Sequence, residues 1–138
     1  MKIGCFLDTN VLIYAATGRM DDPRKFGIAE GIVFGRSFGL SAQVLAEFCV
    51  NVARAAVAPT AQELDGWIDY LVTFPVVPVD AALVKSAIAC MRRFQIHYYD
   101  AAIVTAAARL GAELLYTEDL NHGQRYGTVL VQNPFRDP

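Results

Sequence analysis

The feature that most constrains this chain is an alternation. Short apolar runs, too brief for helices, are separated by longer stretches that carry helical start and stop signals. Residues 3–7 read as a buried strand ending on Asp8, followed by a brief helix over 10–16. Asp22 and Pro23 supply an acidic cap and a first-turn proline for a helix to about residue 37. A minimal strand over 38–41 ends on Ser41, which can cap a helix over 42–56. Thr60 and Glu63 have capping-box spacing and open a helix to about residue 73. Residues 76–79 predict an edge strand, because Pro78 has no amide hydrogen for a ladder.

Asp80 then caps a helix to about residue 94, and a helix over 100–110 stops at Gly111. Strands over 113–117 and 128–131 complete the pattern. Strands alternating with helices build parallel βαβ units with helices on both faces. The expected fold class is α/β: a three-layer α/β/α sandwich around a mainly parallel sheet of about five strands. In such sheets, sites form beyond the carboxyl ends of the strands, where the strand order reverses.

The 138 residues suit one domain over 1–138, large enough to fold without a metal or disulfide staple. No apolar run approaches a membrane span, and Asp8 comes too early for a signal peptide. Cys5, Cys49 and Cys90 are an odd number in apolar surroundings, which predicts reduced, buried thiols and a cytoplasmic chain. A net charge of −2 argues at first against a nucleic-acid partner, but nine of the twelve basic residues are arginine, suited to phosphate. The mean hydropathy of +0.31 predicts apolar surface covered by an oligomer or a stable partner.

Four acids fall where chemistry is expected. Asp8 ends the first strand, Asp119 follows the strand over 113–117, and Asp100 begins a helix. Glu47 lies inside the apolar helix stretch 44–50, where a carboxylate is costly unless paired or bound to a cation. Each has an ordinary explanation alone: Asp100 as a helix cap, Asp8 as a turn residue, Glu47 on a solvent edge, Asp119 in a polar loop. Together they point to a shared cation, since clustered carboxylates repel one another. Hard oxygen ligands select magnesium or manganese (Mg2+ or Mn2+), and no histidine–cysteine set resembles a zinc site.

Four segments then resemble one family in its own order. Leu7-Asp8-Thr9-Asn10 is similar to the opening of PIN-domain proteins, and Ser41 through Phe48 to their helix with an inward glutamate. Tyr99-Asp100-Ala101-Ala102 resembles the family's third acidic motif, and Thr117-Glu118-Asp119 its final one. The resemblance implies a PIN-like fold with Asp8, Glu47, Asp100 and Asp119 as catalytic and metal-holding acids, and Thr9 and Thr117 as hydroxyls that orient them. It further implies an RNA substrate, a divalent ion, a homodimer, and an antitoxin partner, as in the VapC toxins of bacterial toxin–antitoxin pairs. Glu118, Asn10 and Asn121 are secondary candidates at the same site.

Other residues carry weaker expectations. His97 or His122 could act as a general acid, Tyr98 and Tyr99 could stack on a base, and Arg92 and Arg93 suit a helix end. Arg125 follows the Asp119 loop and is the better phosphate candidate. A dehalogenase-like phosphatase would need a second aspartate where Asn10 stands, and a receiver domain would need further acids and a lysine that are missing. A non-catalytic PIN-like scaffold is the remaining rival.

Overall fold

The computed structural model describes residues 3–137. Strand β1 (Cys5–Leu7) is buried at all three positions, as expected of a strand covered on both faces. It leads into α1 (Thr9–Asp21) and α2 (Pro23–Gly35), with the Asp22 side chain accepting from the Lys25 amide and proline in the first turn of α2. Next come β2 (Leu40–Ser41), α3 (Ala42–Val52), α4 (Ala61–Leu71) and β3 (Val76–Val77). The chain continues through α5 (Ala81–Phe94), α6 (Tyr98–Arg109), β4 (Leu114–Tyr116), β5 (Arg125–Tyr126) and β6 (Val129–Gln132).

Several boundaries follow the local chemistry read from the sequence. Ser41 caps α3, the Thr60–Glu63 box closes in both directions, and Asp80 accepts from the Leu83 amide. Gly111 takes a φ of +72° just beyond α6, a left-handed conformation that favours glycine.

The sheet runs β1–β4–β6–β5, parallel except for the antiparallel edge strand β5. β2 and β3 form a second parallel pair, with β3 at its outer edge. A parallel bridge between Phe6 and Gly39 joins the two, through Leu7 N–H to Gly39 O at 3.2 Å and Gly39 N–H to Cys5 O at 2.9 Å. The spatial order is therefore β3–β2–β1–β4–β6–β5. From β1 the chain adds strands on one side and then returns to add β4 on the other. The order reverses between β1 and β4, so the crevice beyond Leu7 and Tyr116 is where a site belongs.

Helix α6 packs on β2, β4 and β6 and is covered by α5, while α1 packs on α2 and α3. One apolar core of strand residues such as Phe6, Leu7, Leu115 and Val131 joins these layers. Among the described residues no helix is long and apolar enough to cross a membrane. Cys5 is buried, but Cys49 and Cys90 are only partly so, a correction to the expectation of three buried thiols; all three are free.

Candidate active site

Asp8 leaves β1 at the reversal point and caps α1, with Oδ1 accepting from the Thr9 amide at 2.7 Å. Its other oxygen accepts from the Thr117 hydroxyl at 2.7 Å, and Thr117 follows directly on β4. Parallel pairing of Leu7 with Tyr116 brings these two residues side by side. Both are buried. Desolvation is the main cause that pushes the Asp8 carboxyl up to about 6, with the charges of Asp119 and Glu47 adding to it and the two hydrogen bonds opposing it.

The Thr117 hydroxyl is also an acceptor, from Asn10 Nδ2 at 3.2 Å and from the Asp119 amide at 3.1 Å. Asn10 Nδ2 donates in addition to Asp119 Oδ2 at 3.2 Å, so one threonine and one asparagine connect Asp8 to Asp119. Because both donors of that connection lie on Nδ2, the Asn10 carbonyl oxygen is left buried without a partner.

Glu47 reaches the same crevice from α3. Its Oε2 accepts from the Thr9 hydroxyl at 2.8 Å, and its Oε1 accepts from Gln43 Nε2 at 2.9 Å. Gln43 Nε2 also lies 3.3 Å from the Tyr99 carbonyl oxygen, which ties α3 to the start of α6. Asp100 stands in the first turn of α6, and its carboxyl is raised by desolvation first, then by Asp119 and Glu47, with His97 opposing. Hydrogen bonds through Thr9, Thr117 and Asn10 thus connect Asp8, Glu47 and Asp119, and Asp100 is near enough to Asp119 and Glu47 to feel their charge.

The structure corrects some expectations. Asp100 does not cap its helix: α6 begins two residues earlier, and His97 is the cap, its Nδ1 accepting from the Tyr99 amide at 3.3 Å. Arg125 lies in β5, in register with Leu130 and through it with Leu114, at the amino end of β4 and away from the acids. It is not placed to meet a phosphate in the crevice. His122 accepts from the Asn133 amide at 3.0 Å and Asn121 donates to Gln124 at 2.8 Å, both within exposed loop structure.

Glu118 turns away from its neighbour Asp119. One of its oxygens accepts from the Tyr14 hydroxyl at 2.6 Å, and the other pairs with Lys25 Nζ at 2.7 Å. Lys25 also lies 3.2 Å from the Tyr14 oxygen and over the Tyr14 and Phe135 rings. These contacts bind the loop carrying Thr117 and Asp119 to α1 and α2. Sequence reading missed Gln43, Tyr14 and Lys25, since nothing in a polar residue's local context reveals a partner distant in sequence.

The donors suit a hard divalent ion: carboxylates, hydroxyls and one unpartnered buried carbonyl oxygen, all oxygen. Among the described residues, no three histidine, cysteine, aspartate or glutamate side chains form a group that could hold a metal ion as they stand. Hydrogen bonds hold two of the acids as they stand: Thr9 and Gln43 engage Glu47, and Asn10 engages Asp119.

Comparison with known proteins agrees with the fold. The PIN domain model matches residues 5–127, and the chain belongs to the PIN-domain family, a family of nucleases. Among solved structures, VapC20 of Mycobacterium tuberculosis, a sarcin–ricin loop cleaving toxin, is 21% identical with a TM-score of 0.68, over 84% of this chain and 90% of that one. A toxin–antitoxin complex from Klebsiella pneumoniae is 17% identical with a TM-score of 0.65, over 95% and 97%. VapBC2 of Rickettsia felis, bound to a promoter DNA fragment, is 19% identical with a TM-score of 0.64, over 94% and 97%. At these identities the likeness establishes the fold. No match was found among curated proteins.

Proposed function

We propose that this chain is a metal-dependent endoribonuclease, the toxin of a toxin–antitoxin pair, working through Asp8, Glu47, Asp100 and Asp119. The observation that carries this reading is the convergence of four carboxylates on the β1–β4 reversal point, where Asp8 is held up to about 6 by burial and by its acidic neighbours. Repelling charges of this kind are retained where a cation offsets them.

Asp8, Glu47 and Asp100 would hold Mg2+ or Mn2+, and Asp119 would help a second ion or orient the attacking water. When bound, the ion would supply Lewis-acid stabilisation of charge on a phosphodiester undergoing hydrolysis. The chain's own groups do the positioning. Thr117 orients Asp8 and Asn10 orients Asp119, while Thr9 and Gln43 steer the two oxygens of Glu47. Asp119 is exposed, and so is the acid best placed to orient the attacking water.

The test is incubation of the full chain with total cellular RNA in Mg2+ or Mn2+, beside an EDTA control and Asp100→Asn. Discrete cleavage by the wild type alone is expected; cleavage surviving EDTA or Asp100→Asn overturns the reading. The lack of a ready three-acid group among the described residues favours one alternative, a scaffold that binds without cleaving. Titration calorimetry with Mn2+ separates them, since the scaffold would show no binding heat. An antitoxin partner is supported by neighbours solved as toxin–antitoxin complexes. A homodimer would cover apolar surface, and light scattering on the isolated chain tests it.

A further inference from the structure

We infer that Tyr99 is a base-stacking residue that receives an unpaired base beside the acidic crevice; this rests on the ribonuclease reading above. Two large aromatic side chains stand out as more than half exposed among the described residues, Phe34 at 56% and Tyr99 at 57%. Phe34 leans on Trp67 and Tyr70 between α2 and α4, with centroids 5.6 and 5.3 Å away. Tyr99 sits one residue before Asp100, and its carbonyl is joined to Glu47 through the single nitrogen of Gln43. Its position relative to two of the four acids is therefore set by backbone and hydrogen bonds.

The ring itself is braced. Tyr98 meets it edge-on, with centroids 5.2 Å apart and planes at 77°, and His97 lies 5.7 Å away at 30°. A braced, exposed aromatic ring is the side-chain type on which unpaired bases stack. The charge distribution favours such a contact. The crevice is acidic, its nearby Lys25 is paired with Glu118, and Arg125 lies at the other end of the sheet. Beside these acids a contact that does not depend on phosphate adds affinity for a polyanion, and stacking is sequence-tolerant and independent of charge.

The experiment measures binding of a short single-stranded oligoribonucleotide carrying 2-aminopurine, in EDTA so that no cleavage intervenes. Wild-type protein is expected to quench the fluorophore on binding. Tyr99→Leu should weaken binding roughly tenfold and abolish the quench, and Tyr99→Trp should restore both. Mn2+ affinity measured by calorimetry should be the same in all three proteins. The exposed position predicts unchanged melting temperatures, which shows that the variants are folded. Tyr99→Leu binding as tightly as wild type, or a failure of Tyr99→Trp to restore the quench, overturns the inference. If stacking holds but the wild type neither binds Mn2+ nor cleaves RNA, the ribonuclease reading fails instead.

Discussion

The acidic crevice has two halves built in different ways. One half is borne by the sheet: Asp8 and Thr117 follow adjacent parallel strands, are buried, and share a 2.7 Å hydrogen bond. The other half is borne by helices: Glu47 and Asp100 are partly exposed and come from α3 and α6, coupled by the longer Gln43 bridge. Strand ends define positions through the ladder, whereas helix faces define them only through packing and side-chain length. The sheet half is thus preorganised and strained by desolvation, and the helix half is accessible and adjustable. An ion of the kind proposed would relieve the first half and have room to adjust the second.

The largest expected effect ignores the difference. Asp8→Asn and Asp100→Asn should each lower RNA cleavage by at least about 100-fold, the upper end of what losing a mere supporting partner does. Cleavage assays at matched protein concentration check this, and a half that tolerates its substitution is not part of the site.

The next effect separates the halves by pH. Asp8 is raised from 3.8 to about 6, so the fold favours its protonated form. Well below pH 3.8 the carboxyl is neutral in both states and costs nothing. As pH rises to 6 the unfolded chain releases the proton first, and stability of the metal-free protein falls by up to about 3 kcal/mol. Denaturant melts of wild type against Asp8→Asn, from pH 4 to pH 7, should show this slope in the difference between them. A flat difference would mean that Asp8 is not desolvated.

Thr117→Val strikes the sheet half by removing one donor and two acceptor contacts at a buried hydroxyl. It should cost about 1–3 kcal/mol in stability, read from urea midpoints, and lower Mn2+ affinity by roughly 10-fold. Gln43→Leu strikes the helix half and should be the mildest: stability within about 0.5 kcal/mol, with cleavage reduced only several-fold. If Gln43→Leu proves the more damaging of the two, the helix half is the rigid one and the comparison is reversed.

What the sequence made legible follows the same division. Caps and strand ends are local, so Asp22, Thr60 with Glu63, Asp80 and Gly111 marked their boundaries, and the acids at strand ends could be placed in one crevice. Non-local packing was not legible. Helix α1 runs on through Gly18 to Asp21 instead of ending near residue 16, with Gly18 buried where α1 meets Phe26 of α2, a contact that no local signal announces. Helix α3 stops at Val52 although helix-forming alanines follow, and beyond it Arg54, Ala56 and Val57 are exposed. The two-residue strand β5 has no periodicity to read and exists only through its pairing with β6. His97 displaced Asp100 as the cap of α6, which moved that acid into the first turn.

The pairing of Lys25 with Glu118 reaches beyond electrostatics. Lys25 belongs to the first turn of α2, while Glu118 lies between Thr117 and Asp119, so helix and loop are mechanically one piece. That loop carries Thr117, which donates to Asp8, and Asp119 itself, so the ion pair joins the amino end of α2 to both neighbours of Glu118. The placement of Asp119 thus depends on a helix that contributes no acid to the crevice.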